Sequence, residues 1–269
     1  MKIGVLKQFS TDLLSERLEH LGFQRRGNSW YKIVPDVILC AEVRSLRGKA
    51  FDVCFGIVPF VCYDNCKLNL SCFQPESAYS RAFCDMKRSF YSEMYERPVI
   101  TEPGFFFSID STERELKDDR KYQVFLKYWG DIYEKAIAPF LLKVTDLNSA
   151  VEAIGEYSKF ESHRVINARA SDDNSLYLPY HAPIFMKLGE VEKAKNCLHS
   201  FISIRIEDDG EEQIELEARD ALDSGNIGDM YLWYKLLKDN DIEGMKKLVA
   251  ALEGNALAWI EKEKLTIEK

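Results

Sequence analysis

The chain has 269 residues, of which 46% are hydrophobic and 30% are charged. This composition excludes disordered and fibrous proteins, and the length is sufficient for a core without disulfides or metals. The net charge of −8 disfavours nucleic acid as a partner, because phosphates repel an acidic surface.

The negative charge is unevenly distributed along the chain. Residues 1–155 hold 21 basic and 21 acidic residues, whereas residues 156–269 hold 15 basic and 23 acidic ones. We therefore predict two domains with these boundaries, an α+β domain followed by an acidic helical domain. The second domain contains the longest acidic run, from Glu207 to Asp223, in which Arg219 is the one basic residue.

The first predicted elements are a helix and a series of strands. Apolar residues at helical spacing between Phe9 and Leu21 predict an amphipathic helix, which Gly22 can terminate. Strand-like runs in which apolar and polar residues alternate follow at 28–34, 37–45, 51–57 and 67–73, with a last one at 105–110. Because short turns such as the one at Pro35 and Asp36 join these runs, we expect antiparallel pairing.

The remaining chain is predominantly helical in pattern. Helices are predicted at 113–138, 145–154, 180–188, 191–203, 214–223, 230–238, 242–252 and 256–264. The fold class that follows is α+β, with an antiparallel sheet of four to five strands, helices packed on one face, and an all-helical C-terminal region.

Neither the cysteines nor the histidines form a recognisable site in the sequence. The closest cysteines are Cys62, Cys66 and Cys72, but a structural zinc site normally needs two tight pairs, and here only one pair qualifies. We predict seven free thiols and no metal or cofactor. His181 and His199 could face each other across a helical hairpin, but no nucleophile or known catalytic motif accompanies them. A non-enzymatic protein is therefore favoured.

A basic and aromatic cluster near the first hairpins offers an alternative function. Such side chains on an open sheet can bind single-stranded nucleic acid, and here they are Arg25, Arg26, Lys32, Arg44, Arg47, Lys49, Trp30 and Tyr31. Acidic residues are interleaved with them, and strand alternation puts the two aromatic rings on opposite faces. A solvated outer face or a charged edge of the sheet is the favoured interpretation, beside which the acidic helices could dock.

The sequence also indicates a compartment. No run reaches 18 consecutive apolar residues, and the apolar stretch after Met1 is too short for a signal peptide. We therefore expect a cytoplasmic protein without membrane contact, whose thiols stay reduced.

Residues 21–31, LGFQRRGNSWY, carry a family resemblance. They resemble the opening of a bacterial family, the domain of unknown function numbered forty-three-oh-four, and the likeness extends over roughly residues 5–155. In that family a helix ends at Gly-Phe, and a basic pair and a glycine lead into an aromatic pair that begins a strand. Where the family often has Gln-Ser late in its second strand, this chain has Arg44 and Ser45. The resemblance implies no catalytic residues.

These observations favour a cytoplasmic protein-interaction module, in a specific version an immunity or toxin-neutralising protein that covers a basic partner. The candidate partner-binding residues are Asp208, Asp209, Glu211 and Glu212. An acidic run is usually a solvated helix face or loop, and less often a docking surface for a basic partner. The alternative function is a small-ligand enzyme with a cleft between the two domains.

Overall fold

The computed structural model describes residues 3–46, 50–63, 72–73, 93, 117–154, 181–199 and 210–268. The chain begins with α1 (Ile3–Ser10), a π-helical turn (Thr11–Ser15) and α2 (Glu16–Glu19), which follow one another directly. Together they form the predicted first helix. It ends before Gly22, whose φ of 85° is a left-handed conformation suited to glycine.

The sheet has five strands in sequential order, each antiparallel to the next. They are β1 (Gln24–Arg26), β2 (Ser29–Val34), β3 (Val37–Leu46), β4 (Ala50–Pro59) and β5 (Cys72–Phe73). The predicted α+β class with four to five antiparallel strands is confirmed. β1 is an addition to the predicted strands. The predicted strand at 105–110 lies outside the described residues.

The turn between β2 and β3 lies at Pro35 and Asp36, as predicted. Asp36 has a φ of 64°, a conformation that aspartate tolerates better than most residues. The backbone N–H of Phe60 donates to the carbonyl oxygen of Asp36 at 2.8 Å, which ties this turn to the end of β4.

Helices account for most of the other described residues. They are α3 (Asp119–Ile132), α4 (Ala138–Leu141), α5 (147–154), α6 (Ala182–Lys187), α7 (191–199), α8 (Glu211–Ser224), α9 (Met230–Lys238) and α10 (Ile242–Lys262). A second π-helical turn, Tyr133–Ile137, joins α3 to α4, so the helical path continues through Pro139 instead of stopping there. The two helices predicted at 242–252 and 256–264 form the single helix α10, because Gly254 does not interrupt it.

Alternation along β3 divides its side chains between two hydrophobic clusters. Val37, Leu39, Ala41 and Val43 join a cluster that includes Phe9, Leu14 and Leu18 of the first helix and Tyr133 after α3. Helices from the first 155 residues therefore cover one face, as predicted.

The opposite face of the sheet is covered by α10. Ile33, Ile38 and Cys40 pack with Ala256 and Ile260 in a second cluster. The expectation of a solvated outer face is wrong for this part of the sheet, because α10 buries it. Residues from both predicted domains share this core, and residues 155–180 lie outside the described ones, so the boundary at 155 stays a prediction.

Candidate functional site

The predicted partner-binding residues lie at the start of α8. Glu211 and Glu212 form its first turn and are exposed, whereas Asp208 and Asp209 lie outside the described residues. Carboxylates are favoured at this position because unpaired backbone N–H groups give a helix N-terminus partial positive charge.

One side of α8 is fixed by packing. Ile214, Ala218 and Ala221 are buried at i, i+4 and i+7, which places them along one stripe of the helix. The helix ends at Gly225, whose φ of 73° allows a left-handed cap. The orientation of α8 is therefore determined, and its opposite side faces away from the core.

That opposite side combines acidic residues with an exposed leucine. Leu216 is 46% exposed and lies four residues after Glu212 and four before Asp220, so these side chains are neighbours on the helix. Together with Asp223, also exposed, they form what we call the acidic face: Glu212, Leu216, Asp220 and Asp223. The sequence analysis did not identify Leu216 as a candidate. Its spacing from the apolar residues Ile214, Ala218 and Ala221 would have predicted an exposed position on the opposite side of the helix.

Glu211 points to a neighbouring helix. Its carboxylate lies 3.2 Å from Nζ of Lys238 in α9, and this hydrogen bond raises the pKa of Lys238. Because Lys238 already compensates its charge, Glu211 is a weaker candidate for binding a partner than Glu212. Within the described part of the chain, Glu212 forms no ion pair.

Two arginines of the basic cluster near the first hairpins are used within the fold, whereas Arg47, Lys49 and the side chain of Arg44 lie outside the described part of the chain. Arg25 donates to the hydroxyls of Ser15 at 3.0 Å and Thr11 at 2.9 Å, and its guanidinium lies 5.0 Å from the centre of the buried Trp30 ring. Arg26 donates to the backbone carbonyls at the end of α10. These contacts leave Arg25 and Arg26 poorly placed to bind nucleic acid phosphates.

A groove lies beside this region, at the end of the first helix. Its volume is about 240 Å³, and the apolar part of its lining includes Phe23, Val34, Leu39, Leu141 and Val144. Lys32 and Glu268 supply charge at the same groove, and their side chains form an ion pair at 3.1 Å. The groove therefore lies where residues from both predicted domains meet.

The segment Leu265–Glu268 holds Glu268 in this position. Backbone N–H of Glu268 donates to the carbonyl oxygen of Ile33 at 2.8 Å, and the side-chain amide of Gln24 both accepts from and donates to the backbone of Thr266. Lys32 also donates to the carbonyl oxygen of Leu21 at 2.9 Å. The charged pair is thus anchored to the backbone on both sides.

The histidines and cysteines lie in dissimilar surroundings. His181 is 4% exposed, and burial lowers its pKa to about 4, whereas His199 is exposed. Cys40, Cys62 and Cys197 are not part of disulfide bonds, and burial raises the pKa of Cys62 and Cys197 to about 12. A thiol with a raised pKa is a poor nucleophile. Cys66, of the closest cysteine set, lies outside the described residues.

Neither a cluster of metal ligands nor a membrane-spanning helix is present in the described ranges. Within them, no group of three or more His, Cys, Asp or Glu side chains could hold a metal ion. None of the described helices is both long and apolar enough to cross a membrane.

Comparison with family models, curated proteins and solved structures found no match. The resemblance of residues 21–31 to a bacterial family of unknown function therefore stays a prediction.

Proposed function

We propose that this protein is a protein-interaction module that binds a basic segment of a partner through the acidic face of α8. One observation carries the proposal: Leu216 is 46% exposed on α8 between Glu212 and Asp220, on a side of the helix where Arg219 is the one basic residue. An exposed leucine flanked by the carboxylates of Glu212 and Asp220 suits a partner segment in which an apolar residue is flanked by lysines or arginines. The apolar contact would supply affinity, and the charges would supply orientation and association rate.

The same proposal includes the compartment, the source and the partner of the protein. The protein would act in the cytoplasm, and the family resemblance suggests a bacterial one. Its partner would be a basic protein. In an immunity or toxin-neutralising version, binding would cover the basic surface with which that partner acts.

Photo-crosslinking from Leu216 tests the proposal. A photoreactive phenylalanine analogue replaces Leu216 in one variant and Leu257 of α10 in the control, since both leucines are 46% exposed. After irradiation in extracts of the source cells, we expect a basic protein crosslinked at position 216 and not at position 257. The identified protein is then purified, and its Kd for the unmodified chain is measured at low and high salt.

Charge reversal provides the second arm. We expect Glu212→Lys with Asp220→Lys to weaken binding about tenfold at low salt, and we expect a smaller loss at high salt, where ions screen the contacts. Equal crosslinking at both positions, or a Kd unaffected by both charge reversals, would contradict the proposal.

The alternative of a small-ligand enzyme with a cleft between the domains has one supporting observation. The groove at Lys32 is lined by nine residues of the first predicted domain, between Phe23 and Thr145, and by Glu268 of the second. This supports binding of a small molecule and does not by itself support catalysis.

A further inference from the structure

The charged pair in the groove has unused hydrogen-bonding capacity. An ammonium group has three N–H donors, and within the described residues Lys32 donates one hydrogen bond, to Leu21, and forms an ion pair with Glu268. The Lys32 side chain is 17% exposed and that of Glu268 is 45% exposed, so a ligand can reach both. Glu268 contacts Lys32 through Oε2, whereas its Oε1 lies beside the backbone of Gly22 and accepts no hydrogen bond from the described residues. One donor and one acceptor of opposite charge are thus available side by side.

The apolar lining sets the size and character of the ligand. Phe23, Leu39, Leu141 and Val144 have buried side chains that contribute to the wall of the groove. A volume of about 240 Å³ lies below the range of about 300–1,000 Å³ typical of drug-sized ligands. A ligand of this size has one small apolar group.

We propose that the groove binds a free α-amino acid with an apolar side chain. The ligand's carboxylate accepts from an N–H of Lys32 that does not bind Leu21, its ammonium group donates to Oε1 of Glu268, and its side chain packs on the apolar wall. This inference goes beyond the proposed protein-binding function, and it uses no residue of α8.

A zwitterion fits the groove better than a singly charged ligand. A simple carboxylate would approach Lys32 but also the Glu268 carboxylate, which repels it. A simple amine would meet the corresponding repulsion from Lys32. A ligand that carries both charges satisfies both groups, and hydrogen bonds between charged partners are the stronger kind.

Calorimetric titration with three related compounds tests the inference. L-leucine carries both charges, 4-methylpentanoate lacks the ammonium group, and 3-methylbutylamine lacks the carboxylate. We expect saturable binding of leucine and at least tenfold weaker binding of each analogue, because each loses one charge-assisted hydrogen bond. No saturation with leucine at millimolar concentration, or equal affinity for leucine and either analogue, would overturn the proposal.

Variants separate the groove from the rest of the surface. We expect Lys32→Met and Glu268→Gln each to weaken leucine binding at least tenfold, whereas the exposed controls Lys262→Met and Glu261→Gln leave it unchanged. Because Lys32→Met also removes the bond to Leu21, thermal melting is recorded for every variant, and Glu268→Gln carries the test if Lys32→Met is unfolded. Unchanged affinity in a folded Glu268→Gln would overturn the proposed contact with the ammonium group.

Discussion

Nε of Arg26 donates to the backbone carbonyl of Glu263 at 2.7 Å, although 237 positions separate the two residues. The same guanidinium donates to the carbonyls of Lys264 and Arg25, each also at 2.7 Å. The final carbonyls of a helix have no partner within the helix and carry partial negative charge. Arg26 therefore caps α10 and connects it to β1. The expectation that the acidic helices dock beside this arginine agrees with this contact, but the acceptors are backbone oxygens, not carboxylates.

Replacing Arg26 should weaken the attachment of α10 to the sheet. We expect Arg26→Met to lower the free energy of unfolding by about 2 kcal/mol, because hydrogen bonds from a charged group contribute about 1.5–3 kcal/mol and this site is partly exposed. Urea denaturation measures the change. Arg219→Met, an exposed position on α8, is the control and should change stability by less than about 0.5 kcal/mol. Equal losses in the two variants would argue against a capping role.

Lys187 of α6 connects the β2–β3 turn to α10. Its ammonium lies 3.1 Å from Asp36 and also binds Glu253. Burial lowers the pKa of Lys187, but the hydrogen bonds to Glu253 and Asp36 outweigh this effect and raise it. All three side chains are partly exposed, so solvent weakens the interaction.

A double-mutant cycle on this contact measures its contribution. We expect Lys187→Met and Glu253→Gln each to lower stability by about 1 kcal/mol, with the double variant losing about as much as one single variant. Asp36→Asn is the appropriate change at the turn, because asparagine tolerates the φ of 64° that most other residues do not. Strict additivity of Lys187→Met and Glu253→Gln would show that the two side chains do not interact.

The strands of the sheet were largely predictable from the sequence, whereas the helix that covers the second face of the sheet was not. Alternation fixed the face on which Val37, Leu39, Ala41 and Val43 lie, and the Pro35–Asp36 turn fixed the pairing of β2 with β3. β1 was not predicted, because the adjacent arginines of a three-residue strand give no hydrophobic pattern. Its partner strand and contacts distant in sequence, such as the one to Glu263, hold it in place.

The covering of the opposite face depends on contacts that no local pattern encodes. Cys40 alternates with Glu42, so that side of β3 suggested a polar surface, yet Cys40 packs in one cluster with Ala256 and Ile260. The residues of the candidate site were also only partly predictable from local sequence patterns. Glu212 was identified from its charge alone, whereas the role of Leu216 depends on the orientation of α8, which the buried stripe on its other side determines.

Protonation of His181 should make stability depend on pH. Its pKa is about 4 in the folded protein and about 6.5 when exposed, so the unfolded chain binds the proton more tightly. Stability should therefore be complete above about pH 6.5, and up to about 3 kcal/mol should be lost as the pH falls through 6.5 toward 4.

Urea denaturation at several pH values measures this slope. We expect His181→Gln to flatten the curve of unfolding free energy between pH 4 and 6.5, relative to the wild type. His199→Gln, which changes an exposed histidine, should keep the wild-type slope. If His181→Gln kept it as well, other groups would be responsible for the acid sensitivity.

Gly22 and Gly27 provide a matched test of how closely Glu268 packs against the turn that follows the first helix. Both have a left-handed backbone, with φ of 85° and 63°, so alanine costs about 1–2 kcal/mol at either position. An alanine Cβ at position 22 would lie only 2.6 Å from Oε1 of Glu268, whereas at position 27 it would meet no atom within 4 Å. We expect Gly22→Ala to be the more destabilising change.

The excess should come from displacement of Glu268 from Lys32, so it should disappear when Glu268 is shortened. In a Glu268→Ala background, Gly22→Ala and Gly27→Ala should therefore cost about the same, within about 0.5 kcal/mol. Chemical denaturation of the six proteins, three in each background, measures both differences. If the excess cost of Gly22→Ala were equally large without the Glu268 carboxylate, backbone conformation alone would account for it, and the close packing of Glu268 against this turn would make no contribution to stability.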